Sequence, residues 1–139
     1  MNFWKKGLVV LTVITSCVLL LISCLPAQNQ SPTYDPAKNY AAFLVINSTV
    51  GKNVLENMKR HSLEENYEIG PIEYYNQGTK DFVPILKKLT ASKQVKLVWI
   101  ISGVWDIPDI KNAMAQVDFQ GAYRYAPSTE QGGAIIVQP

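Results

Sequence analysis

Side chains able to act as nucleophile, proton carrier or soft metal ligand near neutral pH are scarce in this chain. Its 139 residues include one histidine, His61, and two cysteines, Cys17 and Cys24. His61 stands in "MKRHSLEE", where charged neighbours on a helical stretch predict a solvated position more than a catalytic one. A Ser-His-Asp triad would have to use that residue, and no G-x-S-x-G elbow is present. The spacing motifs C-x-x-C and H-E-x-x-H are missing, as is an acidic calcium loop. "STVGKN" carries Gly51-Lys52 without the spacing that cradles phosphate, and G-x-G-x-x-G does not occur. The carboxylates Glu64-Glu65 and Asp106/Asp109 read first as helix-end charges rather than as an acid–base pair. The expectation is a chain with no catalytic set, no metal and no cofactor, one that binds rather than catalyses.

The residue types suited to recognition fall in three short groups. They are Asn47, Ser48 and Thr49; then Tyr75, Asn76 and Gln77; then Ser102, Gly103, Val104, Trp105 and Asp106. Amides and hydroxyls can orient a small polar ligand, Tyr75 and Trp105 can stack on it, and a glycine allows close approach. The same residues are also ordinary turn chemistry at the ends of strands. Which reading applies depends on whether the fold brings the groups together.

The elements that would do so are legible in the hydrophobic pattern. "YAAFLVIN" is a continuous apolar run, as expected of a strand buried on both faces. The next stretch, "STVGKNVLENMKRHSLEEN", puts Val54, Leu55, Met58 and Ser62 on one side of a helix that Ser48 or Thr49 can cap. "YEIGPIEYYN" predicts a second strand whose Gly70-Pro71 suits a start or an edge. In "QGTKDFVPILKKLTASKQ" a second helix begins near Thr79 or Asp81, with Pro84 in its first turn and Phe82, Leu86 and Leu89 buried. "VKLVWIIS" is the third strand, and Asp106 caps a third helix with core residues Ile107, Ile110, Met114 and Val117. "GAYRYAP" and "AIIVQP" predict two short strands joined by "STEQGG", a hairpin forming an antiparallel edge.

This alternation predicts an α/β domain: a small, open, mostly parallel sheet with flanking helices, in the order β-α-β-α-β-α-β-β. In such sheets ligands sit beyond the carboxyl ends of the strands. Asn47, Ser48, Thr49, Tyr75, Asn76, Ser102, Trp105 and Asp106 are therefore the candidate binding residues. Nucleic acid is excluded as a partner. From Cys24 onward 11 basic residues meet 11 acidic ones, so the net charge of +2 belongs to Lys5 and Lys6.

The first part of the chain has another organisation. "MNFWKK" is a short positive region, and "GLVVLTVITSCVLLLIS" is a long apolar one, the layout of a secretory leader. The run is also long enough to cross a bilayer as an uncleaved helix. Leu21-Ile22-Ser23-Cys24 at its end resembles the lipobox of bacterial lipoproteins: an apolar residue, two permissive positions ending small, then cysteine. That resemblance implies diacylglycerol on the Cys24 thiol, cleavage before it and acylation of the freed amino group. Several acyl chains on one residue meet the requirement that stable anchoring takes more than one. Cys17, inside the run, reads as a small hydrophobe. The organisation expected is a signal peptide over 1–23, a proline- and amide-rich tether over 24–39 and one domain over 40–139. The chain would then be held on the cell membrane or outer membrane, facing the periplasm or the exterior.

"FLVINSTVGKNVLENMKRHSLEENYEIGPIEYYNQGTKDFVPILKKLTASKQVKLVWIISG" resembles part of one lobe of the type I periplasmic solute-binding proteins. Gly51-Lys52, Thr79, Asp81-Phe82, Ile85-Leu86 and Leu89 carry the likeness. It implies an α/β lobe and a small-solute site. This chain has length for a single abridged lobe, so enclosure of a solute would need a second copy. Two binding readings therefore stand: an anchored protein that engages an envelope protein partner or a small polar solute, and a half-size lobe that dimerises around its ligand.

Cys24→Ala is expected to abolish incorporation of labelled palmitate in the native host. Unchanged labelling would remove the lipobox reading.

Overall fold

The structure, a computed structural model, describes residues 32–128. The leader, Cys24, most of the expected tether and "AIIVQP" lie outside the described residues. Four strands are described: β1 (Tyr40–Ile46), β2 (Glu68–Tyr75), β3 (Val95–Ile101) and β4 (Ala122–Tyr125). Three helices connect them: α1 (Thr49–Glu64), α2 (Val83–Leu89) and α3 (Ile107–Met114). The strands form one sheet in the order β2-β1-β3-β4, and every neighbouring pair is parallel.

The apolar run of β1 has the burial its composition demands, with Ala41 through Val45 fully inaccessible. Its side chains alternate between two cores. Ala42 and Leu44 join Val98 and Ile100 of β3 under α2 and α3, where Phe82, Leu86, Leu89, Ile110 and Ala113 close the layer. Ala41, Phe43 and Val45 join Leu97, Trp99 and Ile101 under α1, which contributes Leu55 and Met58. Helices on both faces are what a parallel sheet requires, since each crossover lays its helix against one face.

β2 is an edge strand, as Gly70-Pro71 suggests, and it is half-buried along most of its length. Its pairing to β1 slips there: Ala41 faces Ile69, whereas Phe43 faces Ile72. A side chain on Gly70 would stand 2.8 Å from the carbonyl oxygen of Ala41, so this bulge needs glycine. Ahead of β1 the chain makes a turn in which Lys38 N–H donates to the Asp35 carbonyl at 3.1 Å. The Tyr34 ring meets the Tyr40 ring edge-on at 4.8 Å.

Two expectations need correction. β4 was expected at an antiparallel edge, yet it runs parallel to β3, from Leu97 opposite Ala122 to Ile100 opposite Tyr125. The cause is α3, which carries the chain back along the sheet so that β4 starts from the same end as β3. Helix α2 also lacks the cap expected from Thr79 or Asp81: Phe82 holds the N-cap position with no side-chain cap bond. The Asp81 carboxylate instead accepts from Val83 N–H at 3.1 Å, and the Thr79 hydroxyl donates to the Asn76 carbonyl at 2.8 Å. Pro84 lies in the first turn, as its missing N–H favours. Among the described residues no helix is long and apolar enough to cross a membrane.

One polar link ties α1 to the centre of the sheet. Ser62, fully buried, donates its hydroxyl to the Met58 carbonyl at 2.8 Å and accepts the Trp99 indole N–H at 2.9 Å. Trp99 is itself fully buried, so its N–H has no water to turn to. Ser62→Ala is expected to leave that donor unpaired and to cost about 1–3 kcal/mol, read as a lower urea midpoint with an unchanged slope.

Candidate functional site

Because all four strands are parallel, the loops after β1, β2 and β3 leave the sheet at one end, the carboxyl end of the strands. The three groups of candidate residues are therefore brought to the same side of the molecule, as the sequence leads one to expect. What they do there differs from group to group.

After β1, Ser48 caps α1, its hydroxyl accepting Gly51 N–H at 3.0 Å. Gly51 sits tight under it: a side chain would stand 2.3 Å from the Ile46 carbonyl oxygen. Asn47 N–H donates to the Tyr75 carbonyl at 2.7 Å, and its side-chain amide donates to Asn76 Oδ1 at 3.1 Å. The two asparagines thus spend part of their capacity on each other across the strand ends. Thr49 is exposed as the first residue of the helix.

Tyr75 is not the open stacking surface that the sequence suggests. It is buried, with its ring edge-on to Phe82 at 5.0 Å. Its phenol donates to Asp106 Oδ2 at 2.9 Å, linking the end of β2 to the β3–α3 turn past the end of β1. Asp106 holds the N-cap position of α3 but makes no side-chain cap bond, contrary to expectation. A buried phenol two strands away takes the carboxylate that would otherwise face the first turn. Burial first, and then the bond to Asp106, hold the Tyr75 phenol well above its ordinary pKa of 10.0; the Gly103 backbone and Ser102 hydroxyl act the other way. Ser102 is buried.

Trp105 stands out from this set at 87% exposed, beside Val104 at 54%. Both occupy the middle of a turn closed by Asp106 N–H donating to the Gly103 carbonyl at 3.2 Å. Near the same end of the strands, Tyr74 is exposed in place of Tyr75, with the Lys52 ammonium 6.0 Å from its ring centroid. Tyr74 is not among the residues expected from the sequence; adjacent tyrosines in a strand point to opposite faces, and on the edge strand β2 the face that carries Tyr74 is the less covered one.

His61 lies away from this end, in the last turn of α1. Its ring meets the Trp99 ring edge-on at 5.9 Å, and its nitrogens stand 3.1 Å from Glu65 and 3.7 Å from Glu64. Glu65 also pairs with Arg124, whose guanidinium lies 5.6 Å above Trp99. The residue is packed against the sheet and only partly solvated. Among the described residues no group of three or more histidine, cysteine or acidic side chains is placed to hold a metal.

No protein-family model matches the chain, and no curated protein does. Among solved structures, a substrate-binding periplasmic protein (Pbp) from Ralstonia solanacearum is similar, with a TM-score of 0.46 and 15% identity. The likeness covers 66% of this chain and 25% of that one, so this chain spans about a quarter of its length. A likeness of that size carries no functional conclusion.

The raised Tyr75 pKa has a definite sign in stability. A phenol held protonated by the fold contributes fully below the ordinary value of 10.0 and loses that contribution as pH rises through the folded value. The stability difference between wild type and Tyr75→Phe is expected to be constant from neutral pH to about 9 and to shrink above 10. Urea unfolding across that range measures it, and a gap that widens with pH would contradict the assignment.

Proposed function

We propose that the chain is a lipid-anchored cell-envelope protein that works by binding a protein partner through the exposed β3–α3 turn. One observation carries this reading: Trp105 and Val104 are open to solvent while the deeper polar residues beside them are occupied within the fold. A small polar solute needs convergent donors and acceptors that are free to turn toward it. Here Ser48 caps a helix, Asn47 and Asn76 engage each other, and Asp106 holds Tyr75. What remains is a large amphipathic ring on a short turn, the residue type that most often anchors protein interfaces.

The anchor belongs to the same proposal. The lipobox-like Leu21-Ile22-Ser23-Cys24 supports acylation at Cys24, with 24–39 as a tether of proline- and amide-rich composition. The chain reaches β1 at Tyr40, while the β3–α3 turn follows the opposite ends of the strands. Seven-residue strands separate those ends by about 20 Å. The tether would therefore join at the amino ends of the strands, with Trp105 beyond their carboxyl ends. No catalysis is part of this reading.

The test places a photoreactive aromatic residue at Val104 of the full chain in its host. A discrete protein adduct is expected, absent when the same residue replaces exposed Asp118 and lost when Trp105→Ala is added. Thermal-shift screens against amino acids, sugars and nucleosides are expected to show no response. A solute that raises the melting temperature, with no adduct at Val104, would overturn the protein-partner reading.

A further inference from the structure

We propose that Tyr75 and Asp106 form a latch that positions Trp105, so that the presentation of the exposed ring is set from two strands away. The inference rests on the reading of Trp105 as the contact residue and names what holds it in place.

Among the described residues Trp105 is almost wholly exposed, so packing does little to fix it. Its direction is set by the backbone of the turn from Gly103 to Asp106. Ile110 N–H donates to the Asp106 carbonyl at 3.0 Å as the first bond of α3, and two further bonds define the turn at its far end, both on Asp106. Its N–H donates to the Gly103 carbonyl at 3.2 Å, and its Oδ2 accepts the Tyr75 phenol at 2.9 Å. The first is a single, long turn bond. The second reaches an immobile partner, because Tyr75 is buried on a strand and its ring is packed against Phe82 at 5.0 Å. Asp106 itself is 9% exposed, so little water can replace the phenol.

The alternative use of this carboxylate is the ordinary one. An aspartate at an N-cap commonly accepts from the first turn of its own helix, which would make the turn a local matter. Here no such bond is made. The side chain is committed to β2, and the residue next to it is the most exposed of the large apolar side chains described. Gly103 adds room: a side chain there would be 3.5 Å from Asp106 Oδ2, in ordinary contact, so the turn is not locked by crowding. Its order is set by the hydrogen bond. Tyr75 and Asp106 are thus positioning residues for Trp105 rather than contact residues.

Hydrogen–deuterium exchange on the full chain reads the latch directly and needs no partner. In Tyr75→Phe, amides of the 103–107 turn are expected to exchange at least tenfold faster, while those of β3 keep their wild-type rates. Asp106→Ala is expected to match Tyr75→Phe. Asp106→Asn keeps an acceptor oxygen and is expected to stay near wild type. Faster exchange throughout the sheet, or none in the turn, would overturn the proposal. Crosslinking from Val104, repeated in the same variants, is expected to fall with the loosened turn. A wild-type chain that gives no adduct yet shows the local exchange response would fault the contact reading and leave the latch standing.

Discussion

The burial of β1 on both faces is the constraint from which the rest follows. A strand with Ala41 through Val45 all sealed from water cannot be left with one face open. Each of Phe43, Leu44 and Val45 contributes about 1.5–3 kcal/mol only if it is covered. Covering both faces takes α1 on one and α2 with α3 on the other. Helices on both faces imply crossovers, crossovers imply parallel strands, and parallel strands send their following loops to one end of the sheet. The gathering of the three polar groups at that end is thus a consequence of apolar packing. Packing decides where they meet but leaves open whether they are free.

That distinction separates what was legible in the sequence from what was not. The strands, helices and buried stripes could be read because they depend on local period: the run at 40–46, the Ser48 cap, Pro84 in a first turn. The meeting of Asn47, Tyr75, Asn76, Ser102 and Asp106 at one end of the strands could also be read, since it needs only parallel topology. Hydrogen-bond choices between distant residues could not. Asp106 carries the local signature of a helix cap, and its partner lies 31 residues away. Tyr74 and Tyr75 are the same side chain in sequence, and the bulge at Gly70-Pro71 sets the phase of the strand that carries both. The direction of β4 was hidden for a similar reason. "GAYRYAPSTEQGG" has the turn residues of a hairpin, but the crossover through α3 fixes which end of the sheet the strand starts from.

Among the described residues the buried polar side chains Ser62 and Asp106 are committed to partners, whereas the Tyr123 hydroxyl is buried without one. Ser62 serves Trp99 and Met58; Asp106 serves Tyr75. By contrast the ion pairs Lys38–Glu68, Lys59–Glu56, Lys80–Asp109 and Lys88–Glu73 join exposed or partly exposed side chains. Pairs of that kind contribute little. Stability therefore rests on the two apolar layers and on a handful of buried hydrogen bonds. The surface charges are free to keep the domain near neutrality.

The bulge in β2 bears on how copies of the chain behave toward one another. An open sheet ends in an edge strand, and a regular edge is a template on which another strand can add. On β2 the row of donors and acceptors is broken by Pro71, which has no N–H, and bent by the slip at Gly70. Both features raise the cost of continuing the sheet from one molecule into the next. Molecules crowded side by side would then remain separate units, with self-association at that edge disfavoured by backbone geometry rather than by charge.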